Sequence, residues 1–209
     1  MGVPVSRVRE IQEACGDPAD FARAYVAYVA LVLQAMDPGE IAAFVRALLD
    51  ARARGATVYF IGNGGSAATA SHFANDLSIG TKTADQHFRS VALTDNVPVM
   101  TAIANDFGYE EIFERQLRGL LDAGDVVVAI SASGNSPNLL RAVDFAKRKG
   151  ATTVGLTAFD GGALRRSVDV PVHVPTHAGE YGPAEDAHMV IDHLVTAYLM
   201  HAVRQGGRS

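Results

Sequence analysis

The stretch 58–77, "VYFIGNGGSAATASHFANDL", decides how the chain is read. An apolar run rich in β-branched and aromatic residues ends at Gly62, and a helical pattern begins near Ser66. Gly62, Gly64 and Gly65 crowd the junction between them. Glycines there let the backbone turn and approach a ligand closely. Ser66 either caps the helix or offers its hydroxyl to an anion, and the helix start adds unpaired N–H groups. Further on, His72 and Asp76 stand four residues apart, on one face of that helix.

Working outward, the same grammar repeats. Upstream, Phe21, Ala24, Tyr25, Tyr28, Val29, Val32 and Leu33 recur at helical spacing behind a start signal at Asp17. That helix is very apolar for a surface element, which leaves two readings open: packing on its own core, or contact with another subunit. "DPGEIAAFVRALLDARARG" reads as a second helix, with Asp37 as N-cap, Pro38 in the first turn and Gly55 as the stop. Downstream, "RSVALT", "DVVVAIS", "TTVGLT" and "DVPVHV" join "TVYFIG" as strands, helical patterns intervene, and a last helix spans about 183–203. Five short strands alternating with helices predict an α/β domain whose parallel sheet is covered on both faces. No linker or repeat divides the 209 residues, so one domain is expected: a helical segment over 1–54 and an α/β core over 55–204.

Bulk properties narrow the function. The net charge is −5 and no basic block occurs, which argues against nucleic acid as a partner. The single cysteine, Cys15, excludes an intramolecular disulfide framework and a cysteine-rich zinc site. The start lacks a signal-peptide core, and no apolar stretch is long enough for a bilayer, so a soluble cytoplasmic protein is expected. Met-Gly-x-x-x-Ser at Gly2 and Ser6 matches an acylation pattern too short to carry weight.

A second junction has the chemistry of the first. In "ISASGNSPN", Ser131, Ser133 and Ser136 offer three hydroxyls around Gly134. Two polar corners at successive strand ends can converge on one small ligand, and a phosphate suits short neutral donors beside a helix dipole. Competing readings are weaker. Gly62-x-Gly64-x-x-Ala67 is a loose dinucleotide fingerprint without a well-placed acidic residue after it. No Gly-Lys-Ser/Thr completes a P-loop, and no Gly-x-Ser-x-Gly elbow presents a nucleophile. The last helix carries Glu185, Asp186, His188, Asp192 and His193 among apolar residues, with His188 and Asp192 again four apart. Acidic and imidazole groups on a core-facing helix need partners, which makes a metal or reactive site plausible.

"GNGGSAATASHFANDL", "TAIANDFGYEEIFERQL", "GDVVVAISASGNSPNLLRAVDFAKRKG" and "GLTAFDGG" together resemble the sugar isomerase (SIS) family, over roughly residues 20–200. The branch they are most similar to is that of the phosphoheptose isomerases. The resemblance implies a three-layer α/β/α sandwich with a five-stranded parallel sheet. It also implies a homotetramer with active sites between subunits, which favours the intersubunit reading of the apolar N-terminal helix. By the resemblance, Ser131, Ser133 and Ser136 bind the sugar phosphate while Asn63, Gly64 and Ser66 line the sugar. Asn96 and Glu185 join the substrate contacts. His72, Asp76, Glu185 and His193 stand at the metal-ligand positions, for Zn²⁺ or another divalent ion. Asp76 and His193 stand at the acid–base positions.

The chain departs from the family pattern in several places. Asp76 replaces a glutamate, Glu185 a glutamine, Asn96 an aspartate and Ala132 a threonine; "GPAED" stands for "RIQE". Glu185 and His193 are also separated by about 12 Å of helix rise, so Glu185 must sit at the helix entrance or come from another subunit to share an ion with His193.

The activity so implied is isomerisation of sedoheptulose 7-phosphate to an aldose phosphate through an enediol. The rival from another class is a non-catalytic SIS protein that binds a sugar phosphate or a partner protein. A third reading, lyase or etherase chemistry on an amino-sugar phosphate, would use the same phosphate corners.

Overall fold

The structure is a computed structural model that describes residues 6–81 and 87–206. Gly2 of the acylation pattern and the last residues of the "RQGGRS" tail lie outside the described residues.

Three helices lead the chain: α1 (Arg7–Ala14), α2 (Pro18–Gln34) and α3 (Pro38–Arg54). Their ends follow the sequence signals. Asp17 and Asp37 accept hydrogen bonds from the N–H groups of Ala19 and Gly39, each just behind a proline, and Gly55 closes α3. Then come β1 (Thr57–Gly62), α4 (Gly65–Asn75), β2 (Arg89–Ala92), α5 (Val97–Phe107), α6 (Glu114–Leu120), β3 (Val126–Ser131) and α7 (Pro137–Arg148). β4 (Thr152–Ala158), the short α8 (Gly162–Ser167), β5 (Val170–Val174) and α9 (Tyr181–Gly206) complete the chain. The short helices α6 and α8 and a π-helical turn at Asp76–Gly80 were not evident from the sequence pattern.

All five strands are parallel, in the order β2-β1-β3-β4-β5. β1 and β3 are buried throughout, as continuous apolar runs demand of strands covered on both faces. Their side chains alternate between two cores. Val58, Phe60, Val126, Val128 and Ile130 meet α3, α4 and α9 on one face, whereas Tyr59, Ile61, Val127 and Ala129 meet the α6–α7 layer on the other. The result is the expected α/β/α sandwich.

This strand order creates a switch point. From β1 the chain moves outward to β2, then returns to place β3 on the other side of β1. The crevice beyond the carboxyl ends of β1 and β3 is where open parallel sheets bind ligands. Both serine- and glycine-rich corners open there.

The start of α9 is pinned from the N-terminal end. The carboxylate of Glu180 is buried and accepts hydrogen bonds from Ser6 Oγ, the Val8 and His177 N–H groups and the Tyr28 hydroxyl. No single helix among the described residues is long and apolar enough to cross a membrane.

The second corner tolerates no side chain at its centre. Gly134 has φ +63°, and a Cβ there would stand 2.1 Å from the carbonyl oxygen of Gly161. Gly134→Ala should therefore cost about 2 kcal/mol or more, read from the denaturant midpoint. Gly119→Ala, on α6 with open space around it, should be neutral or stabilising by up to about 1 kcal/mol.

Candidate active site

The corners after β1 and β3 are joined across the switch point. The Asn63 amide donates to Asn138 Oδ1 at 3.0 Å, and the Asn138 amide donates back to Asn63 Oδ1 at 2.8 Å. Tyr109 adds its hydroxyl to the same Asn63 oxygen at 2.9 Å. Around this clasp lies a cleft of about 140 Å³ lined by Asn63, Ser66, Ser131, Ser133, Ser136 and Glu185, with Tyr181 at its edge. Ser131 Oγ accepts from the Gly134 N–H, which sets the turn. Ser136 is the N-cap residue of α7, and its hydroxyl forms no capping bond. Hydroxyls, amides and a helix start thus converge without any lysine or arginine in the lining.

Glu185 belongs to this cleft. Its carboxylate packs against Gly65 so closely that a Cβ on Gly65 would stand 2.3 Å from Oε2. Only glycine permits that approach.

Asn96 does not reach the cleft. It caps α5 by accepting from the Val99 N–H, and it lines a separate surface groove with Ser71, Asn75 and Asp95. The expectation of a substrate contact from Asn96 is thus not met within one protomer. Its side-chain oxygen is committed to the helix start.

A second cluster lies farther along the same two helices. His72 Nε2 is 3.2 Å from His193 Nε2, 3.5 Å from Asp76 Oδ2 and 3.9 Å from Asp192 Oδ2. One potential ligand atom from each of the four residues lies within 4.8 Å of the others. α4 and α9 therefore run side by side in the same direction. Both begin at the serine cleft, with Gly65 against Glu185, and both reach the imidazoles two turns later. Asp76 opens the π-helical turn that continues α4, an irregularity often met where a functional side chain must be aimed.

Of the sequence-predicted ligands, His72, Asp76 and His193 are brought together and Glu185 is not among them. About two turns of helix separate Glu185 from His193, and its carboxylate is spent on the cleft wall. The fourth place is taken by Asp192, which sequence reasoning placed on the right helix but paired with His188. His188 is instead fully buried, and burial holds its pKa down to about 4, so it is a neutral core imidazole. The signal for Asp192 was its place beside His193 on an apolar helix.

Asp192 is fully buried, its Oδ2 has no hydrogen-bond partner, and Thr196 donates to its Oδ1 at 3.3 Å. Burial pushes its carboxyl up to about 7, and the Asp76 carboxylate adds to the shift. A divalent cation fits this arrangement. With Zn–N bonds near 2.05 Å, two nitrogens on a tetrahedral ion lie about 3.3 Å apart, against 3.2 Å between the imidazoles here. An ion would also satisfy the orphaned oxygen.

Comparison with known proteins agrees with the fold. The chain belongs to the SIS domain family, whose model matches residues 24–158. Among its relatives, phosphoheptose isomerase from Geobacter sulfurreducens is 41% identical over 167 residues, 78% of this chain and 87% of that protein. The enzyme of the same name from Geobacter metallireducens is 42% identical over 74% of this chain and 81% of its own length. Among solved structures, phosphoheptose isomerase GmhA from Neisseria gonorrhoeae superimposes with a TM-score of 0.79 at 28% identity, covering 88% of this chain and 98% of that one. The Francisella tularensis enzyme gives 0.81 at 26% identity, covering 88% and 99%.

The two buried titrating groups make opposite contributions to stability. In metal-free protein the folded state keeps a proton on Asp192 up to about pH 7, whereas the unfolded chain releases it near 4. Stability from this group is thus lost as pH rises through that window. His188 stays neutral in the folded state down to about 4 but takes up a proton below about 6.5 when unfolded, so its stability is lost as pH falls. Asp192→Asn removes the first slope and leaves the second. Chelator-treated Asp192→Asn should lose more melting temperature between pH 7 and 4.5 than chelator-treated wild type; equal slopes would contradict the buried proton.

Proposed function

We propose that the chain is a phosphoheptose isomerase, which converts sedoheptulose 7-phosphate into an aldose phosphate of the D-glycero-D-manno-heptose 7-phosphate type through an enediol. The observation that carries this reading is the spacing of two polar sites along one parallel helix pair. Six residues separate Ser66 from His72, roughly 9 Å of helix rise. From phosphorus to C2, an extended heptose 7-phosphate spans seven bonds. At about 1.2 Å of advance per bond, this comes to roughly 8 Å, close to that rise. A phosphate held at the serine corners, with its sugar running past Ser66 along α4, would bring C1 and C2 toward the imidazoles and carboxylates.

In this reading Ser131, Ser133, Ser136 and the start of α7 hold the phosphate. Asn63, Gly64, Ser66 and Glu185 line the sugar, and Asn96 keeps its capping role. Isomerisation takes a proton from C1 while O2 gains one, giving the enediol; O1 then loses its proton as C2 is protonated. Asp76 and His193 stand at the C1–C2 end and are assigned as the acid–base pair that carries these protons. A divalent ion, Zn²⁺ or another, held by His72, Asp76 and His193 would polarise the two oxygens.

The proposal extends to a cytoplasmic homotetramer with active sites between subunits. Exposed Val26 and Leu31 on α2, and Leu194 and Tyr198 on α9, support it. They are large apolar side chains of the kind that subunit contacts cover. The helical segment over 1–54 then serves both its own α9 and a neighbour. A non-catalytic sugar-phosphate-binding role is not favoured. The relatives at about 40% identity are named as isomerases, and both imidazoles remain together.

Sedoheptulose 7-phosphate incubated with metal-replete protein in D₂O should yield the aldose phosphate carrying deuterium at C2, followed by NMR. His193→Ala should lower kcat by about 10²–10⁴. No turnover by metal-replete wild type would refute the assignment.

A further inference from the structure

We propose that Asp192, not Glu185, is the fourth ligand of a divalent-metal site formed by His72, Asp76, Asp192 and His193 within a single chain. The inference rests on the metal-assisted reading above and assigns its ligand set.

Three observations converge on it. Asp192 is fully buried, and its Oδ2, 3.9 Å from His72 Nε2, has no hydrogen-bond partner. A buried carboxylate oxygen left unpaired is costly unless a cation or proton completes it. The two carboxylates are also oriented alike. Asn75 donates to Asp76 Oδ1 at 3.0 Å and Thr196 donates to Asp192 Oδ1, so each aspartate commits one oxygen to a neutral donor and turns Oδ2 toward His72. Holding a ligand's far oxygen is how outer-shell donors fix a one-oxygen ligand. Glu185, meanwhile, has its carboxylate against Gly65 on the wall of the serine cleft.

The helix geometry explains the exchange. Ligands at i and i+4 on α4 and at i and i+1 on α9 approach one point from two sides, whereas Glu185 and His193 lie about 12 Å apart along one axis. Two carboxylates and two neutral imidazoles also balance the charge of a divalent ion, a set suited to zinc, cobalt or manganese. All four ligands come from one chain, and expansion to five-coordination would admit a substrate oxygen. Glu185 is thereby released to accept hydrogen bonds from sugar hydroxyls.

Cobalt reports ligation directly. Chelator-stripped wild type titrated with Co²⁺ should develop the visible absorption of a low-coordinate site at one ion per chain. Asp192→Asn should weaken Co²⁺ binding by at least about 100-fold, the upper end of what loss of an outer-shell partner costs. Glu185→Gln should stay within about threefold of wild type. A loss below 100-fold for Asp192→Asn, or a larger loss for Glu185→Gln, overturns the inference. Asp192→Cys guards against misfolding as the cause. It should give a near-ultraviolet thiolate-to-cobalt charge-transfer band that Glu185→Cys does not, and a buried counter-ion role predicts no such band. Wild type that takes up no Co²⁺ overturns the inference along with metal assistance. Turnover of sedoheptulose 7-phosphate, measured separately in chelator, then decides whether isomerase activity stands without a metal.

Discussion

The parallel pairing of β1 with β3 at the centre of the sheet is the constraint from which the site follows. In that register Gly62 lies opposite Ile130, so both strands end side by side and their loops leave in the same direction. Burial on both faces holds the pair in place: a slip of one residue would turn Phe60 and Val128 out of one core and Ile61 and Ala129 out of the other. The reciprocal amide bonds of Asn63 and Asn138 then lock the loops together. Two corners that are weak anion binders separately become one cleft.

The helices carry this arrangement outward. Because α4 and α9 start at the same cleft and run parallel, distance along them converts sequence spacing into distance along a bound substrate. Ser66 and Glu185 stand at the serine cleft; His72, Asp76, Asp192 and His193 stand roughly two turns on. The anchoring of Glu180 by Ser6, Val8 and Tyr28 matters here, since it fixes where α9 begins. The N-terminal helices therefore help to position the chemistry without touching it.

Much of this was legible in the sequence, for identifiable reasons. Parallel strands buried on both faces leave unbroken runs such as "VVVAI", and caps at Asp17, Asp37 and Gly55 are local chemistry that tertiary packing did not override. His72 and Asp76 were legible because four-residue spacing fixes a common helix face. Asp192 was harder to read. Adjacent helical residues point about 100° apart, so no periodicity pairs Asp192 with His193; only a partner helix arriving between them does. Asn96 caps α5 and Glu185 lines the cleft at the start of α9 apart from the imidazoles, for a related reason. The family pattern located them on the chain, but the Val99 N–H and the Gly65 surface decide where their oxygens go. The π-helical turn at Asp76 left no mark in composition.

The placement of charge follows from the same geometry. With a net charge of −5 and no cation in the lining of the serine cleft, an anionic head group must be held by N–H and O–H dipoles alone. A carboxylate in that cleft repels a phosphate, so Glu185 is compatible with the site only if it faces the neutral sugar rather than the phosphate. Its packing against Gly65 sets it on the α4 side of the cleft. The opposite end of the substrate has the opposite requirement. Enediol formation develops negative charge on oxygen, which two imidazoles with a bound cation would stabilise where a second uncompensated carboxylate would not. As an anion, Asp192 can remain buried beside Asp76 only when a positive charge is shared between them; otherwise it keeps its proton. The ligand that neutralises the ion and the residue that lines the sugar must therefore be different carboxylates, and α9 separates them by its own rise.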